Sequence, residues 1–164
     1  MLVEHLLIRQ QETLIHTMTF AIFKETFLKW TEEVIEAKQP TGFPICPFAR
    51  KARLQGKIQF IDALTNTRKQ LETFDKNKYG IGIAWVGDQF NESAIQLELD
   101  FLKEKNPDLL YFISTTESGH FAKNFTNCVF IQLRGDINSK REYLQTTSYY
   151  DNWPKEYFNS IFDA

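Results

Sequence analysis

The sequence predicts a single α/β domain with about four strands, mostly parallel, an antiparallel strand at one edge and helices on both faces. Three observations carry that reading. Apolar runs such as GIGIAWVG (80–87) and LLYFIST (109–115) suit strands buried on both sides. These runs alternate with helix-like segments, which implies crossover connections. The chain has 164 residues, a length that suits one domain with a core of its own.

The elements follow in order. Residues 1–17 read as an N-terminal extension, weakly helical, and the α/β domain occupies 18–164. Phe20, Phe23, Phe27, Trp30 and Val34 recur at steps of three and four, the stripe of an amphipathic helix. Pro40, Gly42 and Pro44 punctuate the loop that follows. A short helix fits Pro47 to Leu54, with Gly56 beyond its end. KIQFIDA (57–63) reads as a strand and TNTRKQLETF (65–74) as a helix. After GIGIAWVG, Asn91 caps a helix that runs to Pro107. LLYFIST and CVFIQLRG (128–135) are strands with no helix between them, so the last is placed antiparallel at an edge. Helices at 137–146 and 154–162 close the chain.

Composition narrows the function classes. Hydrophobic residues make up 43% and aromatic residues 15%, with 15 Phe, which calls for a packed core. The net charge of −2 gives no basic field for nucleic acid, so no nucleic-acid partner is expected. No apolar run reaches membrane-spanning length, and no membrane partner is expected. Two cysteines do not make a disulfide framework. The N-terminus lacks the basic flank and apolar length of a signal peptide. The setting read from this is reducing and cytoplasmic.

The distinctive stretch is GFPICPFARKAR (42–53). Proline is favoured at the first helical position, which makes Cys46 the expected N-cap. Its sulfur would face the free N–H groups of Phe48 and Ala49 at the positive end of the helix dipole, which favours thiolate over thiol. Arg50, Lys51 and Arg53 would add positive potential and hold an anion. Against this stands a plain structural reading: free cysteine behaves as a small buried hydrophobe, and Ile45 and Phe48 flank it.

Two resemblances start from these residues. C-P-x-A resembles the C-P-x-C that opens a helix in the thioredoxin and glutaredoxin class. Ala49 stands where the resolving cysteine would be and no proline precedes GIGIAWVG, so that fold is rejected. ICPFA (45–49), with HFAKNFTN (120–127) ahead of an apolar strand and Arg134, is similar to an uncharacterised bacterial domain family with an L-C-P-F-A signature. That resemblance implies a recurrent design joining Cys46–Ala49 to the 117–127 loop, and transfers no activity.

The loop 115–127 follows a strand's carboxyl end, where open α/β sheets bind ligands. It supplies His120, a candidate base or orienting partner for Cys46, and Ser118, a candidate ligand-binding hydroxyl. Glu98 falls within the apolar arc of its helix and should be paired with a cation or, if not, desolvated. SYYDNWPKEYF (148–158) is expected to pin the C-terminal helix to the sheet, with stacking on a planar ligand as the lesser alternative. No metal-ligand spacing, dinucleotide fingerprint or phosphate loop occurs, so no metal and no cofactor are expected. Two functions remain. The first is a non-catalytic accessory module that binds a small anionic molecule or a protein partner at Cys46. The alternative is a thiol-dependent enzyme or redox protein with Cys46 as nucleophile.

Overall fold

The computed structural model describes residues 19–40, 42–87, 91–114, 125 and 127–162; the predicted extension at 1–17 lies outside them. The first helix, α1, covers 19–30. Its Phe23 and Phe27 are buried, as the stripe predicts. Instead of ending there, it passes into a π-helical turn over Thr31–Ile35, where the Glu36 N–H donates to the Thr31 carbonyl at 2.9 Å. The buried Thr31 hydroxyl donates to the Phe27 carbonyl at 2.9 Å, so no polar group is stranded in the wider turn.

The remaining elements are α2 (Ala49–Leu54), β1 (Ile58–Asp62), α3 (Thr67–Leu71), β2 (Ile81–Trp85), α4 (Glu92–Lys105), β3 (Leu109–Ser114), β4 (Cys128–Leu133), α5 (Arg134–Gln145) and α6 (Lys155–Phe162). Asn91 caps α4 as expected: its side-chain oxygen accepts from the Ala94 N–H at 3.1 Å. Gly87 ends the β2 segment at φ +84°, a conformation that favours glycine; a Cβ there would only push aside the Cδ1 end of the exposed Leu64.

Among the described residues the sheet is open and four-stranded, in the order β1-β2-β4-β3. This corrects the mostly parallel expectation. Only β1 and β2 pair in parallel; β4 pairs antiparallel with β2 on one side and β3 on the other. The antiparallel strand is therefore interior, and β3 is the edge. The crossover from β2 through α4 skips one strand position before laying down β3, and β4 returns into that slot, a split β-α-β arrangement. An apolar run looks the same whether its neighbours run with it or against it, so the pattern of residues 128–135 could not distinguish centre from edge.

Strand parity sorts the core into two clusters. Ile61, Ala84, Val129, Ile131 and Tyr111 face α3 and α4, where Leu71, Leu99 and Leu102 complete the packing. Ile83, Trp85 and Cys128 face the opposite way, toward Phe23 and Phe27 of α1. Helices thus lie on both faces, as predicted. Among the described residues, no helix is long and apolar enough to cross a membrane.

Candidate functional site: a cavity walled by Cys46

The α1 helix covers only part of its sheet face. Its rings pack over Trp85 and Phe125, with Phe27 meeting Phe125 edge-on at 5.2 Å between centroids. Toward Ile81 and Gln132 the cover thins, leaving a cavity of about 230 Å³. Ile58, Ile81, Ile83 and Phe130 form its floor, and Trp30, Thr31 and Ile35 line the side made by α1 and its π turn. Cys46, Phe48, Ala49 and Ala52 line another side, and Ile137, Asp136 and Lys140 of α5 line a third. Phe112 stacks on Phe130 at 5.0 Å and 4° and reaches the opening.

The Cys46 segment is held at both ends. The Cys46 N–H donates to the Ile35 carbonyl at 3.4 Å. The buried Tyr149 hydroxyl donates to the Ile45 carbonyl, and its ring meets Phe43 edge-on at 5.6 Å. Burial, then the nearby Cys46 and Tyr150 charges, push the Tyr149 hydroxyl well above the usual tyrosine range, so it stays a donor. These contacts revise the expectation for SYYDNWPKEYF. The Tyr149 end clamps the 43–45 segment rather than the sheet, while Tyr150, Trp153, Tyr157 and Phe158 pack on one another.

Cys46 is half-buried and lines the cavity, but it is not a helix cap. The N-cap of α2 is Phe48, which makes no side-chain cap bond. Pro47 and Phe48 form a turn in which the Ala49 N–H donates to the Cys46 carbonyl at 3.2 Å. One of the amides expected at the sulfur is therefore spent on its backbone oxygen. The helix that follows has only 6 residues, too few to build much dipole.

The predicted cations have different partners. Arg53 grips Glu36 through Nε (2.7 Å) and Nη2 (2.9 Å), and its Nη1 lies 3.0 Å from Glu32. This fork fastens α2 to the end of α1 and commits Arg53 away from a ligand. Arg50 and Lys51 are exposed. His120 and Ser118 lie outside the described residues. Glu98 pairs with Arg68, whose guanidinium sits 3.9 Å from the Phe101 ring centroid, so the carboxylate in the apolar arc has its cation. Sequence reasoning missed Asp136, Ile137 and Lys140. Ile137 and Lys140 fall within the expected 137–146 helix, but nothing in that stretch records that its face lies over the cavity; Asp136 falls outside it, because α5 begins at Arg134.

The Arg53 hydrogen bond, more than the Arg53 and Arg50 charges, holds the Glu36 carboxyl below its ordinary range. A carboxyl with a depressed folded-state pKa contributes stability above its unfolded pKa, near 4.3, and loses it as pH falls through the folded value. The urea midpoint of wild type should therefore exceed that of Glu36→Gln at pH 7, with the gap closing as pH drops below about 4.3. A gap of constant size down to about pH 2 contradicts the ion pair's role.

Among the described residues, no three His, Cys, Asp or Glu side chains gather as a metal site. Comparison with protein-family models, with curated proteins and with solved structures finds no match to this chain.

Proposed function

We propose that the chain is a non-catalytic binding module whose site is the Cys46-walled cavity, and that its ligand is a small molecule with an apolar body and an anionic end. The cavity carries this reading. Its lining is mainly Ile, Phe, Ala and Trp, and a space of about 150 Å³ with such walls accepts benzene, so one of about 230 Å³ suits roughly nine or ten non-hydrogen atoms. The anionic end is drawn from Lys140, the one cation among the described lining residues, whose Nζ lies 5.5 Å from the Phe48 ring centroid; Asp136 lines the same wall, so the anion must be met at the Lys140 end of it. Arg53 is committed to Glu36, which supports an anion position at α5 over one at the start of α2. The resemblance of ICPFA to the bacterial L-C-P-F-A domain fits the same reading, because Ile45, Cys46, Phe48 and Ala49 all line the cavity.

Phenylacetate and inorganic phosphate discriminate the possibilities. A ligand that binds only the native state raises its melting temperature. Phenylacetate at millimolar concentration should raise it, and Ala52→Phe, which fills the cavity, should abolish the response. A shift with phosphate and none with phenylacetate defeats the proposal and returns the site to a simple anion subsite.

The second reading keeps Cys46 as the nucleophile of a thiol-dependent enzyme or redox protein. One observation favours it: Cys46 lines the cavity, while Cys128 is sealed in the core. Selective alkylation, described below, tests it.

A further inference from the structure

Among the described residues β3 is the last strand of the sheet, and its hydrogen-bond register fixes which groups face outward. The Arg134 N–H donates to the Asp108 carbonyl at 2.9 Å, and Leu109 lies opposite Leu133. Bonded and non-bonded pairs alternate in an antiparallel ladder, so Leu110, Phe112 and Ser114 bond inward to β4. The other side of β4 agrees: the Val86 N–H donates to Asn127, so the odd-numbered residues of β4 serve β2. Leu109, Tyr111 and Ile113 therefore turn their main-chain groups to the free edge. The Leu109 N–H is taken by the Asn106 carbonyl at 3.1 Å. Among the described residues, the amides and carbonyls of Tyr111 and Ile113 and the Leu109 carbonyl have no main-chain partner.

Edge strands are normally guarded by charge, proline, bulges or a covering element. β1, at the other end of the sheet, ends on Asp62, and its Gln59 side chain is tied to the Thr73 carbonyl and the Asp75 N–H. β3 reads LLYFIS, with no charge and no proline. Phe112, 45% exposed, stands on it beside the half-buried Leu110.

We propose that β3 pairs antiparallel with β3 of a second copy of this chain about a two-fold axis at Tyr111, joining two sheets into one. Tyr111 exchanges both main-chain bonds with its symmetry mate. The Ile113 N–H donates to the second copy's Leu109 carbonyl, and the reciprocal bond follows by symmetry. The Leu109 N–H is already used by Asn106, so the Ile113 carbonyl gains no ladder bond and the pairing makes four main-chain bonds. This register sets Phe112 opposite Leu110 of the other copy on the cavity face, and covers the exposed ring. A second copy is favoured over a foreign peptide because the Tyr111 and Ile113 N–H groups of each edge meet the Tyr111 and Leu109 carbonyls of the other, the apolar side chains match, and there are no like charges to repel. The 6 residues of β3 span about 20 Å. With a helix layer on each face, the end of the domain is roughly 25 Å deep, giving about 500 Å² per subunit. The total of about 1,000 Å² lies at the lower bound for a specific interface, so a weak, concentration-dependent dimer is expected.

Sedimentation velocity of the full chain from about 5 to about 300 µM tests this. The 19.3 kDa chain should shift toward twice its mass across that range. Phe112→Lys charges the edge, and Ile113→Pro removes an outward N–H that β4 does not use; both should stay monomeric with native far-UV circular dichroism. In wild type, exchange of the Tyr111 and Ile113 amides should slow as concentration rises, a readout that needs no variant. A wild-type monomer at the top of the range overturns the proposal, whether or not it binds an extended peptide. So does a dimer that keeps its mass in both variants, or one whose Tyr111 and Ile113 amides exchange at a rate independent of concentration.

Discussion

Leu99→Ala is expected to lower the unfolding free energy by about 3–5 kcal/mol. Leu99 has no solvent exposure and sits mid-helix in α4 among Leu71, Leu102, Val129 and Ile131. Truncation removes the transfer free energy of the lost atoms and leaves a void. On one side the void faces the sheet interior, where β4 is hydrogen-bonded along both edges and cannot move inward to fill it. Domains of this kind hold about 5–15 kcal/mol in all, so the loss is a large share of the total. The control is Leu97→Ala on the same helix. Leu97 is 71% exposed, and its truncation should stay within about 0.5 kcal/mol. Urea midpoints with unchanged slopes read both. Equal costs at the two positions would mean that the inner face of α4 has been assigned wrongly.

In native protein at pH 8, iodoacetamide is expected to modify Cys46 and spare Cys128 by a factor of about 1,000 or more. Cys128 has no exposure, and burial, offset in part by a Ser114 hydrogen bond, pushes its thiol up to about 12. An ordinary thiol near 8.5 is about one-quarter ionised at pH 8; one near 12 is ionised about once in ten thousand. Cys128 should react only after urea unfolding. The same raised value means that Cys128 supports the fold fully below its unfolded pKa, and that this support fades as pH climbs from about 8.5 toward about 12. The pH dependence at Cys46 decides between the two functions. Half-maximal reaction well below about pH 7.5 favours a nucleophile, and no reaction in the folded state closes the thiol reading.

Elements whose signal is local were legible. The α1 stripe, the Asn91 cap and the glycine-bounded β2 run each announce themselves within a few residues, and all appear close to their expected bounds. Strand order is a non-local property. Whether β4 sits at the rim or between β2 and β3 depends on where the α4 crossover lands, which no window of residues 128–135 records. The candidate site was half legible. Cys46 drew notice because Cys-Pro is a known helix opening, yet the Pro47–Phe48 turn moved the start of α2 to Ala49. Lys140, which lines the cavity with Asp136, was hidden because its neighbours on the wall come from distant parts of the chain. Glu98 followed its expectation, since a carboxylate in an apolar arc requires a cation and Arg68 supplies one.

The wide turn at Thr31–Ile35 bears on how the chain tolerates length changes. A single π turn is equivalent to one residue inserted into an ordinary helix. Deleting one residue there would let regular winding resume while the later side chains keep their places, because the wide turn already absorbs the extra residue. Glu36 would stay on Arg53, and the residue at the Ile35 position would stay on the cavity wall. A chain one residue shorter at this turn should therefore keep the pair that fastens α2, whereas the same deletion in the regular winding of α1 would break it.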